Sequence, residues 1–354
     1  MQKRRMTGKH KIILQALLLS MTLLTGCGTK GKNENITAGM EAIGALDYDT
    51  ALASFGAARE AGENPRMVYR GEGIAYLGKT QYADAAASLE AALGCSSGRI
   101  DSMDFDINYY LATAYYRQGD ADRAVGVYNA IIGLRPQERD AYYLRGVIHA
   151  RRGALEQALA DFEKTISLDE RDYDRLIDIY CVLEENGYRE AGQTYLQNAM
   201  GSGTKYMTNY EKGRISYYLE DYENARNYLE KARDEKGYEA VLFLGRTYET
   251  LGDFNYAVSV YSTFLDSGEE NAQVLNQMGL CRMQMRDYQG ALEAFQRAMN
   301  IEGSGLLQVL KMNEITAYEN LKQFGQAASL MEEYLKNYPD DEKAKREYEF
   351  LKTR

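Results

Sequence analysis

The sequence predicts an all-α fold, an α-solenoid (superhelix) of about nine helical hairpins with a C-terminal capping helix. Three observations predict it. Nine alanines, Ala51, Ala85, Ala124, Ala158, Ala191, Ala225, Ala257, Ala291 and Ala327, recur at spacings of 34, 39, 34, 33, 34, 32, 34 and 36 residues. Large side chains keep step with them. An aromatic stands three residues before in Tyr48, Tyr82, Tyr188, Tyr222, Phe254, Tyr288 and Phe324, and a large apolar residue four after in Phe55, Leu89, Tyr128, Phe162, Tyr195, Leu229, Tyr261, Phe295 and Met331. Such spacings share one helical face. Twelve residues before the alanine, six copies carry Gly39, Gly73, Gly146, Gly213, Gly245 or Gly279, and a seventh carries Ala112. A unit of roughly 34 residues holds two short helices but buries no core alone, so units must stack.

In chain order, Lys3, Arg4, Arg5, Lys9 and Lys11 precede an apolar stretch, Ile12 to Leu24, which closes with Leu24-Thr25-Gly26-Cys27. A charged start, a short apolar core and a small-residue ending describe a secretory signal, here residues 1–26. Residues 27–34 form a polar tether, Gly28-Thr29-Lys30-Gly31-Lys32-Asn33-Glu34 after the cysteine. Residues 35–338 carry the nine hairpins, whose helices are parted by short turns such as Gly119-Asp120, Gly153-Ala154 and Gly252-Asp253. Glycine in the first helix marks close approach of a neighbouring helix. The fifth and ninth units put Ile179 and Ile315 at that place. Pro65, Pro136 and Pro339 each follow a second helix and end it. Residues 339–354 read as one polar helix that offers Tyr348, Phe350 and Leu351 to cover the last hairpin.

These residues resemble the tetratricopeptide repeat family, best in YYLATAYYRQGDADRAVGVYNAIIGLRP from Tyr109 and LFLGRTYETLGDFNYAVSVY from Leu242. The resemblance covers about residues 33 to 339, although the chain has no tryptophan. The N-terminus resembles a bacterial lipoprotein signal. That resemblance implies lipidation of Cys27 after cleavage and a place on the extracytoplasmic face of a bacterial membrane; two acyl chains anchor stably where one does not.

Composition narrows the partners. Net charge is −10, and residues 1 to 26 hold five basic and no acidic side chains, so the remainder stands at −15. An acidic body is repelled by phosphate backbones, which argues against nucleic acid. Cys95, Cys181 and Cys281 give neither a disulfide framework nor metal spacing. Gly73-Ile74-Ala75-Tyr76-Leu77-Gly78-Lys79-Thr80 satisfies a phosphate-loop pattern, but that chemistry needs a strand before the loop. Here Gly73 and Tyr76 hold the repeat's own helical positions, so no nucleotide, cofactor or metal is expected. His149 takes the place that Tyr76, Tyr115, Tyr248 and Tyr318 hold elsewhere and reads as a packed ring. No nucleophile has a partner at a telling spacing, so no enzyme is expected.

The resemblance places a ligand groove on the exposed face of the first helices. Projected onto this chain, it selects Arg70, Tyr109, Tyr116, Arg117, Tyr143, Arg151, Tyr173, Tyr180, Tyr210, Arg214, Tyr217 and Arg246. Tyrosine and arginine are enriched where surfaces bind. Tyr109/Tyr116, Tyr173/Tyr180 and Tyr210/Tyr217 are each seven apart, on one face. The lysine and asparagine clamp of some relatives is not carried over, since Ile74 follows Arg70 by one turn. The expected ligand is a protein or an extended peptide held by a membrane-anchored scaffold. A saccharide stacked on tyrosine faces is the alternative, disfavoured by the missing tryptophan.

Overall fold

A computed structural model describes residues 33–96, 98–202, 204–233 and 237–354. Cys27 and the signal segment lie outside the described residues. Among the described residues there are nineteen α-helices, one short 3-10 turn and no strand. The hairpins are α1 Glu34–Gly44 with α2 Tyr48–Glu60, α3 Pro65–Gly78 with α4 Tyr82–Gly94, and α5 Ser102–Gln118 with α6 Ala121–Leu134. Then come α7 Arg139–Arg151 with α8 Leu155–Leu168, α9 Tyr173–Glu185 with α10 Arg189–Ser202, and α11 Asn209–Tyr218 with α12 Tyr222–Lys231. The last three are α13 Tyr238–Thr250 with α14 Phe254–Asp266, α15 Ala272–Gln284 with α16 Tyr288–Met299, and α17 Leu307–Asn320 with α18 Phe324–Asn337; α19, Glu342–Leu351, follows. The described residues form an α-solenoid in two compact units, which part after Gly192.

Each hairpin turns at one residue in the left-handed region: Leu46, Thr80, Gly119, Gly153, Gly187, Glu220, Gly252, Arg286 and Lys322. The next amide reaches back to a carbonyl five residues earlier, as Asp120 N to Tyr115 O at 2.8 Å and Asp253 N to Tyr248 O at 2.9 Å, which satisfies a helix end. Aspartates then start several second helices, Asp47, Asp120, Asp221, Asp253 and Asp287 each accepting from an amide in the first turn.

That turn residue lies five before the repeating alanine in eight hairpins, and it corrects the fifth alanine of the sequence pattern. Five past Gly187 is Gly192, not Ala191. Gly192 is buried and Ala191 only half-buried, α10 starts at Arg189 rather than Tyr188, and Leu196 rather than Tyr195 is fully enclosed. Twelve before Gly192 stands Tyr180, not Ile179, so the large ring sits at the first-helix glycine position. The physical reason is an exchange of volumes. A Cβ on Gly192 would come 3.1 Å from the Tyr180 ring.

Elsewhere the small residue is on the first helix and the large one on the second. A Cβ on Gly39 would meet the Phe55 ring at 2.6 Å, and one on Gly146 would meet Phe162 at 2.7 Å. Phe55, Phe162, Tyr261 and Phe295 are all fully enclosed. Truncating such a ring to alanine costs about 3–5 kcal/mol. In the first unit α1 packs on α3, α3 on α5 and α7 on α9; in the second α11 packs on α13, α13 on α15 and α15 on α17. First helices neighbour one another in these pairs, and α5 meets α7 through the hydrogen bond of Arg151 to Tyr116.

At the C-terminus Leu351 and Ala344 bury against Ile315, Met331 and Tyr334, and the Tyr334 hydroxyl donates to Asp341 at 2.9 Å. Phe350, which the sequence offers to this contact, is 45% exposed, with the Arg354 guanidinium 4.8 Å from its ring. The phosphate-loop lookalike is helix through Gly78, Lys79 pairs with Asp49, and Thr80 is the left-handed turn residue. The amides before Lys79 lie within a helix rather than a loop.

Candidate functional site

On the first unit, Arg70 of α3 and Tyr109 of α5 share one register position, Arg117 of α5 and Arg151 of α7 share another, and Tyr116 adjoins Arg117. Arg70 Nε donates to Asp106 Oδ2 at 2.5 Å, and its guanidinium lies 5.6 Å from the Tyr110 ring. Arg151 Nη1 donates to the Tyr116 hydroxyl at 3.1 Å. Arg117 and Arg151 are exposed, while Arg70, Tyr109 and Tyr116 are half-buried. The Tyr109 ring packs 6.1 Å from Tyr128, and its enclosed hydroxyl makes no hydrogen bond of good geometry. Burial, and after it the Glu138 and Asp140 charges, push the pKa of that phenol upward, so it stays protonated.

Four selected tyrosines are corrected by the structure: Tyr143, Tyr173, Tyr180 and Tyr210 are buried, at 3%, 5%, 1% and 6% exposure. Tyr143 packs 6.2 Å from Phe162 beneath the Arg175 guanidinium, 4.0 Å from its ring, and serves the packing of hairpins. Tyr173 and Tyr180 follow from the one-residue slip in the fifth unit. The true register puts Asp174 and Cys181 at those places, and the turn pair Asn186-Gly187 was the signal that could have shown it. The Tyr180 hydroxyl donates to Glu184 at 2.9 Å.

On the second unit, Tyr210, Arg214, Tyr217 and Arg246 surround Phe243, which the sequence pattern missed. Tyr217 stands edge-on to Tyr218, Tyr222 and Phe243 at 5.7, 5.6 and 5.7 Å, and Tyr210 to Phe243 at 6.2 Å. Guanidinium carbons of Arg214 and Arg246 lie 5.4 and 6.0 Å from the Phe243 ring, a cation–π arrangement. Tyr217, Arg214 and Arg246 are half-buried.

His149 is half-buried 3.9 Å from Asp161; desolvation lowers its affinity for a proton, with the Asp161 charge opposing. Cys281 is buried and its thiol pushed up to about 12 by that burial. Among the described residues no group of three or more His, Cys, Asp or Glu is placed to hold a metal ion, and no helix is long and apolar enough to cross a membrane.

A register of stacked hairpins with glycine, alanine and rings in fixed places defines a repeat protein built to present helix faces. A tetratricopeptide repeat profile matches residues 36–100, 109–174, 210–272 and 244–302, and a second tetratricopeptide profile matches 316–341. The chain belongs to the tetratricopeptide repeat family. It is 25% identical over 246 residues to TPR repeat-containing protein MJ1428 of Methanocaldococcus jannaschii, covering 66% of this chain and 42% of that protein. It is 21% identical over 268 residues to BBSome complex member BBS4 of Bos taurus, covering 72% and 46%. The chain thus spans less than half the length of these relatives. Among solved structures it is similar to a tetratricopeptide repeat protein from Parabacteroides merdae, at 15% identity, TM-score 0.45, and coverage of 81% of this chain and 98% of that one. It is also similar to yeast Tom70, at 14% identity, TM-score 0.49, and coverage of 90% and 80%.

Proposed function

We propose that this chain is a lipid-anchored scaffold on the extracytoplasmic face of a bacterial membrane, holding a protein or an extended peptide along its first-helix faces. The observation that carries the binding role is the row of half-buried Arg70 and Tyr116 and exposed Arg117 and Arg151 on three consecutive first helices. Tyrosine offers broad apolar area with a polar tip, and arginine a fixed fork of donors. The anchor rests on the sequence Leu24-Thr25-Gly26-Cys27 after a charged and apolar leader. The acidic body disfavours nucleic acid as a ligand.

The test is capture from host membranes with the full-length protein, followed by identification of what co-purifies. A stoichiometric protein lost on combining Arg70→Ala with Tyr116→Ala supports the scaffold; glycan binding with no protein captured overturns it. Cys27→Ser should release the chain from membranes, and unchanged membrane retention would remove the anchor from this reading.

A further inference from the structure

Arginines on the first helices of the first unit are of two kinds. Arg66, Arg70, Arg139, Arg145 and Arg175 each meet an aspartate, the nearest contacts being 2.5, 2.5, 2.9, 2.6 and 2.9 Å. Among the described residues, Arg117 and Arg151 meet no carboxylate within ion-pair distance. Both are exposed, and both stand seven residues before their alanine, in the last turns of α5 and α7. The Arg151 hydrogen bond to Tyr116, at 3.1 Å, draws its guanidinium to the residue adjoining Arg117. The same register position is Gly78 one hairpin earlier and Glu185 two hairpins after that of Arg117, so the basic pair is confined to one place. The negative end of each helix dipole favours a cation there. It does not explain why aspartates answer the other five arginines and leave these two unanswered in a chain of net charge −10.

We propose that Arg117, Arg151 and the Tyr116 hydroxyl receive a carboxylate carried on the bound peptide, an inference that rests on the peptide-binding reading above. The chemistry fits in each part. A guanidinium presents paired N–H donors to the two oxygens of a carboxylate. The Tyr116 oxygen already accepts from Arg151, which leaves its O–H free to donate to the same anion. Charge complementarity therefore selects an acidic partner segment at this point of the first-helix face.

Fluorescence anisotropy of the full-length protein in detergent micelles tests this with labelled decapeptides of alternating alanine and glutamate, with free or amidated C-termini, against the glutamine counterpart. At least tenfold tighter binding of an acidic form is expected, about 1.4 kcal/mol. Sensitivity to amidation alone would identify the terminal carboxylate as the source, and sensitivity to glutamine alone the side chains. Arg117→Gln with Arg151→Gln should abolish the preference at an unchanged melting temperature. Arg123→Gln, which removes an exposed arginine paired with Asp120, should leave it intact. If the double variant melts early, Arg151→Lys alone should still weaken the preference. No acidic preference, or a preference that survives the double variant, overturns the inference. A membrane protein captured equally by wild type and double variant sinks the carboxylate site only. Acidic peptide bound through these arginines with no protein captured sinks the scaffold reading only.

Discussion

Gly192 lies against Tyr180 so closely that an added Cβ would stand 3.1 Å from the ring and 3.3 Å from the Tyr180 Cα and carbonyl oxygen. The fifth hairpin thus sets a large ring of the first helix against a glycine of the second, whereas Gly73 lies against Leu89 and Gly213 against Leu229. Close packing requires only that the volumes sum correctly.

Gly192→Ala should overpack this contact and destabilise by roughly 1–3 kcal/mol. Tyr180→Gly should leave a cavity costing about 3–5 kcal/mol. The double variant recreates the residue pattern of the second and sixth hairpins, with Leu196 matching Leu89 and Leu229. Chemical denaturation should therefore show the double variant losing less than the sum of the single losses. Strict additivity would show that the two residues do not share the space.

Left-handed backbone at the hairpin turns is the second point of attack. Gly119 has φ 95°, and alanine there should cost on the order of 1 kcal/mol. Leu46 has φ 60° with 68% of its surface exposed, so Leu46→Gly should raise the melting temperature slightly, the relief of strain offset in part by unfolded-chain entropy. Differential scanning calorimetry on the two variants should give shifts of opposite sign.

Acid should loosen the first unit through Asp101. Hydrogen bonds from Arg66 are the chief cause that holds its carboxyl at about 2 instead of 3.8. A carboxyl lowered by folding stabilises above its unfolded value and loses that contribution as the pH falls toward its folded value. The loss should fall between about pH 4 and pH 2. In acid titrations followed by circular dichroism, Asp101→Asn should be less stable than wild type at neutral pH and converge with it below that window.

Thiol chemistry should separate the cysteines of the repeat region. Cys95 is exposed, whereas Cys281 is buried with its thiol raised to about 12 and its sulfur 3.5 Å from the Phe254 carbonyl oxygen. Reactivity follows the thiolate and its access. A chromogenic disulfide reagent should label Cys95 quickly in native protein, and Cys281 only after denaturant is added; mass mapping of the labelled peptides distinguishes them.

The amino-acid sequence by itself determined the hairpin count, the helical class and the small-against-large packing code, because a period near 34 residues with residues three, four and twelve apart is a local signal that each helix repeats. It also named Arg70, Tyr116, Arg117 and Arg151 as first-helix surface. Only the tertiary structure decided that Tyr143 and Tyr210 face into the stack and that Phe243 gathers the rings of the second unit. It also moved the fifth register by one residue, which in the sequence the turn pair Asn186-Gly187 marks. The physical reason is that helical spacing fixes which residues share a face, whereas a neighbouring helix decides whether that face is covered. The exchange of Tyr180 with Gly192 satisfies volume across two helices, and no single helix pattern records it.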